Sequence, residues 1–168
     1  MRAIVASVAL AALVTAGCGK PPARSAAVRP APSFDLADLQ GGKATLDTFK
    51  GKVVVLDFWA TWCGPCIQEI PEYAEFWNKN RSRGVEVVGV VLDSGAPGEI
   101  QDFIREHRIP YRQLVGTDSM ADAFGANQGL PTTFVIDGKG TIRQKMVGSA
   151  PGKFERLQRE VDAALTSS

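Results

Sequence analysis

Val53-Val54-Val55-Leu56-Asp57-Phe58-Trp59-Ala60, followed at once by Thr61-Trp62-Cys63-Gly64-Pro65-Cys66, is the stretch on which the reading of this chain turns. An unbroken β-branched and aromatic run suits a central strand covered on both faces. The two cysteines then fall where that strand ends and a helix begins. A disulfide between cysteines three positions apart closes so small a loop that it does little to stabilise a fold, so its value is chemical. At a helix N-terminus the free backbone N–H groups and the helix dipole favour thiolate over thiol. The Cys63 thiol is therefore expected to titrate below the ordinary cysteine range. Cys63 is the expected nucleophile. Cys66, one turn further and on the same side, is positioned to attack a mixed disulfide at Cys63 and release the partner.

Asp57 stands in the middle of the apolar run, where a carboxylate is costly unless neutral or paired. Its pKa is expected to rise. Trp59 reads as core and Trp62 as an exposed aromatic flank of the cysteines. A structural zinc site needs four Cys or His ligands, and the chain holds three cysteines and one histidine, His107. One of the three, Cys18, has another use, so neither a metal nor a cofactor is expected. His107, at the end of a polar helix face, reads as a solvated surface residue.

The chain's 168 residues, 45% of them hydrophobic, bound the organisation to one good core with appendages. The 19 basic and 18 acidic residues are interspersed, so no basic stripe argues for nucleic acid. Residues 1–17, MRAIVASVALAALVTAG, have one arginine and then an apolar run too short to span a membrane, the form of a signal peptide. Val14-Thr15-Ala16-Gly17-Cys18 resembles the lipobox of bacterial lipoproteins, with Thr15 where leucine is usual. That resemblance implies cleavage before Cys18 and a diacylglycerol on its sulfur. Cleavage after Ala16 by an ordinary signal peptidase is the alternative. From Cys18 to Ser33 the proline-rich stretch reads as a linker, ~3.1 Å per residue and so roughly 45 Å when extended. Residues 34–168 form the expected domain.

Within that domain, Phe34–Leu39 and Ala44–Leu46 flank a glycine turn as a short hairpin. The helix after the buried strand is expected over Cys63–Arg81, with Ile67, Ile70, Ala74 and Trp77 on one face and a kink at Pro71. Val85–Leu92 reads as a strand, Pro97–Arg108 as a helix, Tyr111–Val115 as a strand and Ser119–Phe124 as a helix. This alternation points to a mainly parallel sheet. Thr132–Ile136 and Thr141–Val147 close the sheet as an antiparallel hairpin. A last helix starts at Pro151, with Phe154, Leu157, Val161 and Leu165 as its apolar stripe.

With these elements in place, Asp57-Phe58-Trp59-Ala60-Thr61-Trp62-Cys63-Gly64-Pro65-Cys66 and Gly129-Leu130-Pro131-Thr132-Thr133-Phe134-Val135-Ile136-Asp137 resemble the thioredoxin-fold family. The match is to its TlpA-like (TlpA/ResA-type) thiol:disulfide oxidoreductases, over about residues 33–165. The resemblance implies an α/β thioredoxin-like fold: a central mixed sheet flanked by helices, with an N-terminal hairpin and an inserted helix–strand unit. It implies a cis peptide before Pro131, which would lie against the dithiol, deny metal ions the sulfurs, and leave Leu130 with free backbone groups for an extended substrate. It also implies that Asp57 accepts the proton of Cys66. Trp62, Gly64, Pro65 and Leu130 are then the expected substrate contacts.

The resemblance further implies an exported, membrane-tethered monomer in the bacterial cell envelope that reduces disulfides of exported proteins, with cytochrome c maturation as one setting. A membrane protein would supply its electrons. Asp57 and the Gly64-Pro65 dipeptide depart from many TlpA-like members towards thioredoxin itself, which implies a reducing potential near ~−270 mV. Two other functions are open to the same residues. A peroxiredoxin-type peroxidase would consume peroxide in steady state. A copper-binding assembly module would need His107 to approach Cys63 and Cys66.

Overall fold

The structure, a computed structural model, describes residues 28–167. The signal peptide and Cys18 readings lie outside the described residues. The strands are β1 (Arg29–Pro30), β2 (Asp35–Ala37), β3 (Lys43–Thr45), β4 (Val53–Trp59), β5 (Val85–Val91), β6 (Arg112–Val115), β7 (Thr132–Ile136) and β8 (Thr141–Val147). The helices are α1 (Gly64–Asn80), α2 (Pro97–Glu106), α3 (Asp118–Phe124) and α4 (Lys153–Thr166). Six strands form one sheet in the order β1-β8-β7-β4-β5-β6. It is mixed: β4, β5 and β6 run parallel, whereas β7 is antiparallel to β4 and β8 to β7. This is the thioredoxin-like fold that the motifs imply.

All seven residues of β4 are buried, as its apolar run requires. Alternate side chains enter two cores. Val53, Val55 and Trp59 meet α1, α2 and α4 through residues such as Tyr73, Ile100 and Leu157. Val54, Leu56 and Phe58 meet α3, the β2–β3 hairpin and the 3₁₀ turn Leu46–Phe49. There Phe58, Phe124 and Phe134 form a ring cluster with centroids 5.4–5.7 Å apart.

Both sheet edges are covered. Leu39 donates its N–H to the Gln113 carbonyl at 3.0 Å, and Arg112 pairs with Asp38 at 2.7 Å, so the hairpin closes β6. On the other side β1 pairs with β8, Arg29 opposite Ile142, and the Arg29 guanidinium donates to the Phe124 carbonyl at 3.0 Å. Arg29 and Pro30 belong to the stretch read as linker. Proline tolerates an edge strand, so Arg29 and Pro30 belong to the sheet and not to a linker.

Two apolar stripes also differ from their expectation. The buried residues of α1 are Cys66, Glu69, Ile70, Tyr73, Phe76 and Asn80, while Ile67, Ala74 and Trp77 are half-buried. In α4 they are Lys153, Leu157, Val161 and Ala164, with Phe154 and Leu165 half-buried. A stripe chosen by hydrophobicity alone passes over Glu69 and Lys153, which are buried because they neutralise each other. Helix α1 runs through Pro71 without interruption.

Candidate active site

Strand β4 delivers the chain to Cys63, which is the N-cap of α1 with Pro65 in the first turn. Cys63 and Cys66 are joined, S–S 2.02 Å and Cα–Cα 5.3 Å, and the Cys66 N–H points at the Cys63 sulfur at 3.3 Å. That N–H is one of the unpaired donors of a helix start, aimed where a thiolate would sit. Both cysteines are buried, yet they face different surroundings. Cys63 lines an open groove of about 640 Å³, with Trp62, Pro65, Leu92, Ala121 and Leu130 on its walls; Cys66 does not line it. The groove's charged residues are Asp93 and Asp118.

Trp62 is 64% exposed, and its indole N–H donates to the Asp93 carbonyl at 2.7 Å. Asp93 holds that carbonyl in place with a left-handed φ of 41°. The Ser94 hydroxyl donates to the Leu92 carbonyl at 2.8 Å and accepts from the Thr61 N–H at 3.0 Å, tying the cysteine loop to the end of β5. Trp59 is core and donates to the Gln113 amide oxygen at 2.9 Å. The Leu130–Pro131 peptide is cis, Pro131 is buried and Leu130 half-buried. Gly64 and Pro65 are exposed.

Asp57 is on the face of β4 shared with Val55 and Trp59, the face whose core cluster contains both cysteines. Thr133 donates to Asp57 Oδ1 at 2.8 Å and Tyr73 at 2.9 Å. The carboxyl is raised from 3.8 to about 6, first by burial; Lys153, Thr133 and Tyr73 pull it down and Glu69 pushes it up. A base poised near neutrality is the usual requirement for proton transfer at pH 7.

Sequence reasoning missed the polar network beneath. Lys153 Nζ meets Glu69 Oε2 at 2.5 Å, with both side chains almost fully buried, and Ser149 donates to Glu69 Oε1 at 2.7 Å. The signal was present: Glu69 lies between Cys66 and Tyr73 at helical spacing, and Lys153 precedes Leu157 and Val161 by whole turns. His107 differs from its surface reading. It caps α2, is half-buried and stacks on Phe103 at 3.8 Å. Among the described residues no three His, Cys, Asp or Glu side chains are grouped to hold a metal, so His107 does not join the cysteines as the copper reading requires.

Fold and site together define a thioredoxin-fold protein with a redox-capable cysteine pair at the start of a helix. The comparisons with known proteins narrow this class. The AhpC/TSA family matches residues 28–145. A thiol-disulfide oxidoreductase ResA from Bacillus cereus is 33% identical over 125 residues, 70% of this chain and 68% of that one. ResA from Geobacillus thermodenitrificans is 34% identical over 121 residues, covering 71% and 68%. A Chlorobium tepidum crystal structure described as a thiol:disulfide interchange protein, DsbE, superposes with a TM-score of 0.75 at 33% identity, covering 82% of this chain and 96% of that one. This chain belongs to the AhpC/TSA family, as a thiol-disulfide oxidoreductase of the ResA/DsbE type.

Proposed function

We propose that this protein is an exported, membrane-tethered reductase of disulfides in other exported proteins. The observation that carries the reading is the asymmetry of the pair: Cys63 lines the groove, whereas Cys66 does not and Asp57 lies on the same face of the sheet. The Cys63 thiolate attacks a client disulfide, forming a mixed disulfide and expelling one client thiolate. The Cys66 thiol gives its proton to Asp57, and the resulting thiolate attacks the Cys63 sulfur. The second client thiolate leaves, and the pair is oxidised to the disulfide. Two electrons have passed to the client, and a membrane dithiol donor returns them.

The groove fits an extended client segment between Trp62 and Leu130, with Gly64 and Pro65 exposed beside it. Cis Pro131 leaves the Leu130 backbone free to pair with it. A lipid on Cys18 holds the domain at the membrane, where its donor is found; this follows the lipobox-like Val14–Cys18. Maturation of cytochromes c, whose haem attachment requires reduced thiols, is a fitting pathway.

Trapping tests the core of the reading. Cys66→Ser should accumulate mixed disulfides with exported clients, and Cys63→Ser should form none. If alkylation of the reduced protein at mildly acidic pH labels Cys66 before Cys63, the roles are reversed. Cys18→Ser should leave the membrane fraction; equal membrane association of variant and parent would sink the tether.

A further inference from the structure

Two ordinary forces oppose a buried lysine at the first position of a helix: desolvation of the ammonium and the positive end of the helix dipole. Lys153 is such a residue, the first of α4, with a side chain 3% exposed. The proton transfer described above makes no direct use of it. Its Nζ is held 2.5 Å from Glu69 and 5.3 Å from the centre of the Tyr73 ring. The hydroxyl at the other end of that ring bonds Asp57. One aromatic ring therefore separates the ammonium from the carboxyl that serves Cys66.

We propose that Lys153 is a positioning residue for the proton transfer: its ammonium favours the ionised form of Asp57, the form able to accept the Cys66 proton, and Glu69 limits that effect by drawing on the same charge. The proposal rests on the functional reading given above. The groups facing Asp57 come from every packed element: Tyr73 and Glu69 from α1, Thr133 from β7, Tyr111 from the segment before β6, and Lys153 from α4. Burial first, and then the charges of Asp57 and Glu69, hold the Tyr73 and Tyr111 phenols well above 10, so both are neutral at working pH. Burial therefore raises Asp57, Lys153 opposes it, and Glu69 reinforces it. The partners of one ion pair act on the same carboxyl with opposite sign. A bridge that only tied α1 to α4 would leave both the Asp57 midpoint and the pH–rate profile of disulfide reduction in place for as long as the fold is kept.

The test is an NMR titration of the Asp57 carboxyl carbon in the reduced 168-residue protein, beside the pH–rate profile of disulfide reduction. In Lys153→Met the midpoint should rise by ~1 pH unit, and in Glu69→Gln it should fall by ~0.5, with Lys153→Arg close to the parent. Midpoints that move the same way, or a Glu69→Gln midpoint that stays in place, overturn the proposal. Glu69→Gln decides alone if Lys153→Met does not fold. Opposed shifts in a protein that reduces no disulfide would establish the charge coupling and refute the functional reading instead.

Discussion

Strand β4 sends its alternate side chains into two interiors that are equally buried and differ in kind. On one side Val54, Leu56 and Phe58 join Phe124 and Phe134 in an apolar core. On the other, Asp57 sits among Tyr73, Thr133, Glu69 and Lys153, on the face that contains the dithiol. Depth of burial thus does not tell a structural residue from a chemical one. The partner groups do, because each polar atom on the second side is held by another. Both faces supply apolar cohesion, and the second also holds polar groups at a cost in stability.

The largest expected effect breaks the apolar side. Phe58→Ala removes the ring at the centre of the Phe124–Phe134 cluster and should cost ~3–5 kcal/mol, read as a drop in the urea midpoint at unchanged slope. A loss under ~1 kcal/mol would mean that the face is not cohesive.

Asp57→Asn should have the opposite sign. A carboxyl raised from 3.8 to about 6 contributes stability that is complete below 3.8 and is lost as pH climbs through about 6. The ionised parent therefore bears about 3 kcal/mol at pH 8 that the amide does not. Urea midpoints at pH 8 should favour the variant, and the advantage should vanish near pH 4. Exchange should be slower near neutrality and lose its inflection near pH 6, because an amide accepts no proton. A profile identical to the parent's would remove Asp57 from the mechanism.

A smaller effect sharpens the boundary between the faces. Gly89 lies opposite Asp57 in the register of β5, and a Cβ there would come 2.1 Å from the Gln113 amide oxygen. Gly89→Ala should force Gln113 off the Trp59 indole and cost ~1–3 kcal/mol, measured as a lower Tm with altered tryptophan fluorescence. Trp62→Ala should be the mildest, within ~0.5 kcal/mol of the parent in stability, since the ring is largely exposed. Its reaction with protein disulfides should slow while that with a small disulfide is spared. An equal loss with both would assign Trp62 to the chemistry instead of the groove.

The sequence makes β4, the cysteines and the closing β7–β8 hairpin legible because an unbroken apolar run, a glycine turn and a fixed cysteine spacing are local signals. The cis bond at Pro131 came from the resemblance alone. Helical spacing puts Glu69 and Lys153 each on a buried face, but their pairing is not a local signal: 84 residues separate them, and each looks like a solvated charge until the other is placed beside it. Arg29 and Pro30 were misread for a similar reason, as their partner is β8, at the far end of the chain. Tyr73 needed the helix to be rotated so that its hydroxyl met Asp57, which a stripe drawn through Ile67 and Trp77 does not do.

Strand β1 has one more consequence, for orientation. It pairs with Thr141 and Ile142 at the start of β8, whereas the end of β8, Val147, lies opposite Thr132 beside cis Pro131. Six residue steps separate those ends, about 20 Å at the rise of an antiparallel strand. The first paired residues, Arg29 and Pro30, are thus held at the end of β8 opposite the cis peptide.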